Sequence, residues 1–398
     1  MTYPTIMPAL TLDFVNSQQL DNRIAFSRST IGTYVDSSGL IKTAPVNVAR
    51  FDHDSTGKPL GLLIEESRTN NKTNSQDFSS GWNRSGVAVV TQDTTIVTPY
   101  GSTDSTGVGV LTESSGGTVH QFYAAASSQV TKYITYSVFA KPNGRNHIQL
   151  QDGPFAHDLV NGTTSGSATG EYVSATTTKL ANGWCRCTMT RNHSNTYDQF
   201  NIKLHNGSGA SYSGDGSSGV YIWGVQQEDS SFVSSYIQTE SSTVNRSADV
   251  AQITGDQFSS WYNANQGTIQ VKYGSATNTS SNHKRLVSIG DSDSNSMSAD
   301  NGIMYGSHNP STSTRWRLRN GSSILNFALA SPAALSSAIA YEDDNLAVSY
   351  DGETVLTNNS YTISTLPSRL DVHPNGHISR LSYYNERLTD AALQQLTK

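Results

Sequence analysis

The chain has 398 residues, a formal net charge of −6, 35% hydrophobic and 15% charged residues. It is too long for one ordinary core, and too rich in recurring β-branched and aromatic residues for a disordered chain. No basic block is present, which argues against a surface that tracks nucleic-acid phosphates. No run approaches the roughly 18 apolar residues of a membrane helix, so no membrane insertion is expected. The start, MTYPTIMPALTLDF, carries no readable Sec-type signal.

Residues 1–75 read as an irregular, β-rich N-terminal segment, with strands at LTLDFV and at GTYVDSSGLIKTA around a Ser-Ser-Gly turn. Residues 76–248 hold short alternating runs such as YITYSVFAKP, WCRCTMTR and GVYIWGVQQE, punctuated by Gly, Asn and Ser. That spacing predicts an antiparallel β-sandwich. In YITYSVFA, Ile134, Tyr136, Val138 and Ala140 form the better core face. Residues 249–398 repeat the style, with Asp351-Gly352 as a turn signal between two strands. A short C-terminal helix is predicted in LTDAALQQLTK, capped by Thr389, with Leu393 and Leu396 on one face. The fold class expected is therefore all-β, two tandem antiparallel β-sandwiches. A boundary near Ala248 would let proteolysis free a C-terminal fragment of about 150 residues.

Several constellations invite chemistry. In GLLIEESRTNN, Glu65 and Glu66 are adjacent on a strand end and point to opposite faces. A glycosidase pair must flank one bond across a cleft, about 5–9 Å apart, which neighbours on one strand cannot do. Pairing of Glu65 or Glu66 with Arg50 or Arg68 is the better reading. Asp291-x-Asp293-x-Asn295 starts like a calcium loop, but Ser296 and Gly302 stand where Gly and a carboxylate are needed. No cofactor and no metal ligand set is expected; a structural calcium on a sandwich loop is the one ion the sequence leaves open. His373 and His377 are separated by a Pro-Asn-Gly turn rather than a helical turn. Cys185 and Cys187 share a strand face and read as reduced and structural. No G-x-S-x-G, HExxH or Walker loop is present, and no catalytic residue is assigned. A β-helix depolymerase would show stacked repeats of regular period, and none appears. The chain is expected not to be an enzyme.

Trp184 and Trp223 lie in alternating strands and read as core. Trp82 and Trp261 lie nearer segment boundaries, where they would pack between domains. Trp316 alternates with Arg315, Arg317 and Arg319. Burying Trp316 and Leu318 costs far less than burying the arginines, so the three arginines should form an outward row. NGIMYGS is a strand candidate, yet Tyr305, in NGIMYGSHNP, is the aromatic most readily placed on an exposed loop, with His308 beside it. Tyr305, His308, Arg315, Arg317 and Arg319 are the candidate glycan-binding residues; a plainly solvated face is the bland alternative.

The stretch 26–71, with its FSRSTIGTYVDSSG, RFD and GLLIEESRTNN motifs, resembles the N-terminal signature of a group of tailed-phage and prophage virion proteins. YSVFAKPNGRNHIQL, LANGWCRC and VYIWGVQQEDSSFVSSYIQTESSTVNRSADV resemble that group's carbohydrate-binding-like jelly roll. GHISRLSYYNERLTDAALQQLT is similar to the closing strand and helix of concanavalin A-like lectin domains in phage proteins. Cys185 departs from the group, which more usually carries an aromatic there. The resemblance implies a virion surface protein, on tail or head, made in the host cytoplasm and attaching to host cell-surface glycan. It implies contact with other virion proteins through the N-terminal segment and a homo-oligomer, a trimer favoured. A non-binding structural decoration or adaptor is the alternative.

Overall fold

The computed structural model describes residues 6–398 except 118, 129–132, 193–196, 277–284, 292–301, 310–312, 321–322, 330–334, 362–366 and 374–375. Apart from the turn Asp256–Ser259 and the helix Asp390–Leu396, the regular elements among the described residues are strands, paired antiparallel in their ladders, so the protein is all-β.

One sandwich is closed by contiguous chain. Its first six-stranded sheet runs Tyr172–Lys179, Cys185–Asn192, Tyr133–Asn143, Gly219–Glu228, Val108–Glu113, Val87–Asp93. Its second runs Thr163–Ser165, Ala156–Asp158, His147–Leu150, Tyr197–His205, Gln121–Ser128, Trp82–Ser85. Strand alternation sends Ile134, Tyr136, Val138 and Ala140 into the core between the sheets, with Cys185, Cys187 and Met189 from the next strand. Both cysteines are buried and unbridged, and burial pushes the Cys185 thiol up to about 11. The other face of Tyr133–Asn143 is covered too. Phe139 packs with Trp184, Trp223, Tyr236 and Ile41 in a second apolar cluster.

The other sandwich is split in sequence. Its eight-stranded sheet runs Leu356–Asn358, Leu346–Tyr350, Ser336–Glu342, Gln266–Ala276, Gly376–Tyr384, Pro59–Ile64, Arg50–His53. The long strand Gly376–Tyr384 takes two N-terminal strands end to end. Gly376–Ile378 pairs with Leu62–Ile64, and Arg380–Tyr383 pairs with Leu10–Asp13. Its seven-stranded sheet begins at Ala25–Ser27, which pairs with Val250–Thr254. Leu62 and Ile64 enter the same core as Trp316, Leu318 and Val348. At Gly61, φ is 109° and an added Cβ would lie 2.2 Å from the Ile378 carbonyl oxygen, so this close strand approach requires glycine.

Residues 1–75 thus do not stand apart: they supply strands to both sheets of the C-terminal sandwich. The contiguous sandwich is an insertion between Pro59–Ile64 and Val250–Thr254. Its two connections, Arg68–Asn70 and Val244–Arg246, pair as a two-stranded stem. A cut near Ala248 would leave hydrogen-bonded pieces, and the expected release of a C-terminal fragment is corrected accordingly. Trp261 packs inside the split core, with Phe258 at 4.9 Å and Tyr383 at 4.8 Å, rather than between domains. Trp82 stacks on Phe122 at 4.6 Å, against the inserted core.

The C-terminal helix forms as expected. Thr389 Oγ1 accepts from Ala392 N, and Leu393 and Leu396 are buried. Leu393 sits on Ala338, Ala340 and Ala347, small residues that let the helix approach the sheet. Asp351 and Gly352 both take positive φ in a turn closed by Glu353 N on Tyr350 O at 2.7 Å.

Candidate functional site

The stretch GLLIEESRTNN leads into a buried ion network at the base of the stem. Arg28 and Arg50 share Asp249, at 3.0 and 2.5 Å, with all three side chains fully buried. Glu65 pairs with Arg50 at 2.7 Å and Arg246 at 2.9 Å. Its oxygens also accept from Ser235 N and Ser235 Oγ, each at 2.7 Å. Burial opposes the Glu65 charge, but Arg246, Arg50 and the Ser235 bonds outweigh it and hold the carboxyl well below the usual carboxylate range. Glu66, on the opposite face, pairs with Arg68. These are the Glu65–Arg50 and Glu66–Arg68 pairings read from sequence. Both Glu65 oxygens are occupied by donors, so this carboxylate is held ionised rather than poised to give up a proton. Asp249, the hub, was missed: SAD follows a polar run and carries no local signal.

On the seven-stranded sheet, Trp316 and Leu318 are each 1% exposed and point into the core, while Arg315 and Arg317 lie half-buried on the opposite face. Arg317 Nε donates to Asn326 Oδ1 at 2.9 Å. Burial, then the Arg317 charge, lowers the Arg315 pKa. The side chains of Arg319, Tyr305 and His308 lie outside the described residues. Their backbones are described: Tyr305 and His308 belong to strand Gly302–Asn309 rather than to a loop. Tyr305 stands in register opposite Trp316, whereas Met304 stands opposite Arg317. Paired residues share a sheet face, so the Tyr305 position falls on the Trp316 side, not beside the arginines.

A cleft that sequence did not reveal opens where the split sandwich meets the inserted one. It is a cavity of about 400 Å³. One wall is the outer face of Arg50–His53 and Pro59–Ile64 with His377; the other is the Thr176–Thr178 and Arg186–Thr188 face of the inserted sandwich. The hairpin residue Tyr34 and the loop Phe232–Tyr236 complete it. His377 Nε2 meets Asp52 Oδ2 at 2.7 Å, and Asp52 Oδ1 accepts from Val35 N at 2.6 Å. His53 Nδ1 meets Val35 O at 3.1 Å, which makes Nδ1 the protonated nitrogen. Arg186 lies over the Phe139 ring at 5.3 Å and donates to Ser234 O at 2.8 Å and Ser137 Oγ at 3.1 Å. Burial lowers its pKa, opposed chiefly by Glu228 and then Glu65. His53 Nε2, His377 Nδ1 and Arg186 Nε are buried and meet no hydrogen-bond partner.

Among the described residues no group of three or more His, Cys, Asp or Glu side chains is placed to hold a metal ion. Asp293, Asn295 and Ser296 of the calcium-like stretch lie outside the described residues. His373 bonds Ser288 Oγ at 2.7 Å and His377 bonds Asp52, so the two histidines serve separate partners. Among the described residues no helix is long and apolar enough to cross a membrane.

No protein-family model and no curated protein matches the chain. Among solved structures it is similar to a leech intramolecular trans-sialidase complexed with 2,7-anhydro-Neu5Ac, at 18% identity and a TM-score of 0.27 over 34% of this chain and 23% of that one. It is also similar to Trypanosoma rangeli sialidase in complex with the inhibitor DANA, at 12% identity and a TM-score of 0.26 over 74% of this chain and 61% of that one. The chain thus spans less than two thirds of either enzyme. The expectation that the chain is not an enzyme is withdrawn on this finding, because the structures it matches are enzymes. At these TM-scores the likeness assigns no activity.

Proposed function

We propose that the chain is a surface protein of a tailed-phage virion, on tail or head, that attaches to host cell-surface glycan. The observation that carries the attachment reading is the outward pair Arg315 and Arg317, held on a sheet whose other face is anchored by Trp316 and Leu318. Guanidinium groups at alternate strand positions lie about 7 Å apart and suit successive acidic groups of an anionic polysaccharide. Arg319 would extend the row. Single exposed pairs contribute about 0–1 kcal/mol, so useful avidity needs several pairs or several copies, which a trimer would supply. Docking to other virion proteins through the N-terminal segment belongs to the same proposal.

The test is Arg315→Ser with Arg317→Ser in the full chain, measuring binding to host polysaccharide at low and high salt. Binding should fall at least tenfold at low salt, and the parent should weaken steeply as salt rises. Unchanged affinity, with a parent indifferent to salt, would sink the arginine face.

The alternative, a structural decoration or adaptor, is favoured by one observation. The recognisable stretches around Arg28, Arg50, Glu65 and Arg246 are spent on the buried junction. Retained virion association without any polysaccharide binding would select it.

A further inference from the structure

We propose that the edge strand Ser323–Leu329 pairs with the same strand of a second copy of this chain, joining their seven-stranded sheets into one. Ser323–Leu329 ends its sheet. Ser313–Asn320 ladders along one side of it, and among the described residues no strand lies on the other. Open strand edges are templates for pairing, and proteins blunt them by shortness, charge or proline. The other ends of the four large sheets are blunted in this way. Ala25–Ser27, Leu356–Asn358 and Thr163–Ser165 have three residues each. Trp82–Ser85 and Arg50–His53 have four, with charged members. Val87–Asp93 and Tyr172–Lys179 each end on a charge. Ser323–Leu329, SILNFAL, runs for seven residues without a charge or a proline, and Ile324 is 45% exposed.

Hydrogen bonds to one hydroxyl fix which backbone groups face outward. Trp316 N donates to Tyr350 Oη at 3.0 Å, and Tyr350 Oη donates to Phe327 O at 2.8 Å, so Trp316 N and Phe327 O face each other across the ladder. Bonding direction alternates along a strand. The N–H and C=O groups of Ile324, Asn326 and Ala328 therefore point to the open edge. An antiparallel copy centred on Asn326 uses all of them. Asn326 meets the partner's Asn326, and Ile324 meets the partner's Ala328, large beside small. Between them, half-buried Leu325 meets the partner's Phe327 on the core face, so the two cores continue into each other. The run Ile-Leu-Asn-Phe-Ala is thus its own complement in size, and no like charges meet. The two arginine rows, each on Ser313–Asn320, would stand three strand spacings apart, about 14 Å, beyond the screening length of about 8 Å at physiological salt. The two-fold axis is perpendicular to the sheet, so both arginine faces look the same way. This contact does not rest on the attachment reading, and it is two-fold, distinct from the trimer that the resemblance implies.

Sedimentation velocity on the full chain across a concentration series tests the pairing. The parent should pass reversibly from monomer to dimer. Ala328→Pro removes one outward N–H and no rung of the existing ladder, and should raise the dimerisation midpoint at least tenfold. Asn326→Lys sets like charges opposite each other and should do the same. Circular-dichroism melts matching the parent would show that both variants still fold. Cross-linking reads the register. Opposed Cα atoms of a bonded pair lie about 5.5 Å apart, within disulfide reach, whereas the two Ala328 positions would lie about 14 Å apart. Under mild oxidant Asn326→Cys should therefore give a covalent dimer and Ala328→Cys should not; the native Cys185 and Cys187 are buried. A chain that stays monomeric throughout the series overturns the edge pair. So does a dimer or trimer that Ala328→Pro and Asn326→Lys leave unchanged, or equal cross-linking at the two cysteine positions.

Discussion

The two sandwiches reach the same architecture by opposite routes. The inserted one draws every strand of both six-stranded sheets from one contiguous stretch, Trp82 to Glu228. The split one completes its eight-stranded sheet by laying Leu10–Asp13 and Pro59–Ile64 along Gly376–Tyr384, more than three hundred residues away. Chain between distant partners must be ordered before their contacts reward it, so the split sandwich closes late and depends on everything before it. The inserted one has no such dependence. The difference teaches where autonomy lies: in the insertion, and not in the C-terminal third that sequence alone would isolate.

The largest expected effect follows from dissection. A fragment spanning 76–243 should melt cooperatively by itself, whereas 249–398 should remain unfolded by circular dichroism, because it lacks the N-terminal strands of both its sheets. Adding a separate 1–75 fragment should restore structure to the mixture. A folded, monomeric 249–398 fragment would break the comparison.

Next is the junction. Asp249→Ala leaves two buried guanidinium groups without their shared carboxylate, and should cost about 3–5 kcal/mol in chemical denaturation. Glu66→Ala, whose pair with Arg68 is partly exposed, should cost about 0–1 kcal/mol. Equal losses from the two would mean that the network does not concentrate at the hub.

The third prediction separates the sandwiches by acid sensitivity. His157 is buried in the inserted sandwich, and burial brings its pKa down to about 3. An unfolded histidine takes up a proton below about pH 6.5. The folded state resists that proton until much lower pH, so stability is full above about pH 6.5 and falls as pH drops. The isolated 76–243 fragment should lose about 2 kcal/mol between pH 7 and pH 5, and His157→Gln should flatten that slope. Glu65, at the junction, should contribute full stability above the ordinary carboxylate range and lose it only in more acid solution. A fragment equally stable at pH 7 and pH 5 would remove His157 as the cause.

Local alternation carried much of this fold into the sequence. Period-two patterning placed Trp316 and Leu318 inward, chose the Ile134–Tyr136–Val138–Ala140 core face and marked the Asp351-Gly352 turn. Thr389 and the two leucines marked the helix. Patterning offered NGIMYGS as a short strand, but Gly302, Gly306, Asn309 and Pro310 read as punctuation around it and made Tyr305 and His308 look like loop residues. Register then put the Tyr305 position opposite Trp316 in a ladder, not on an exposed loop. The split sandwich was illegible for a different reason. Nothing near Leu62 says that its partner is Ile378, since pairing across such a separation is decided by the whole sheet. The cleft was illegible for the same reason multiplied: His53, Arg186 and His377 come from three distant segments, and each alone looks like an ordinary strand residue.

The ladder between Leu10–Asp13 and Arg380–Tyr383 also sets how the molecule bears tension. Leu10 stands opposite Tyr383, and Asp13 opposite Arg380. The chain leading to Leu10 and the chain leaving Tyr383 therefore emerge at the same end of the ladder. A load that draws these two leads apart opens the rungs one after another, like a zip, instead of shearing them together. Because the stem strands Arg68–Asn70 and Val244–Arg246 lie side by side, force passing through the split sandwich goes across the base of the insertion and leaves its interior unloaded. A load applied between these two leads would thus open the split sheet first, with the inserted sandwich still intact.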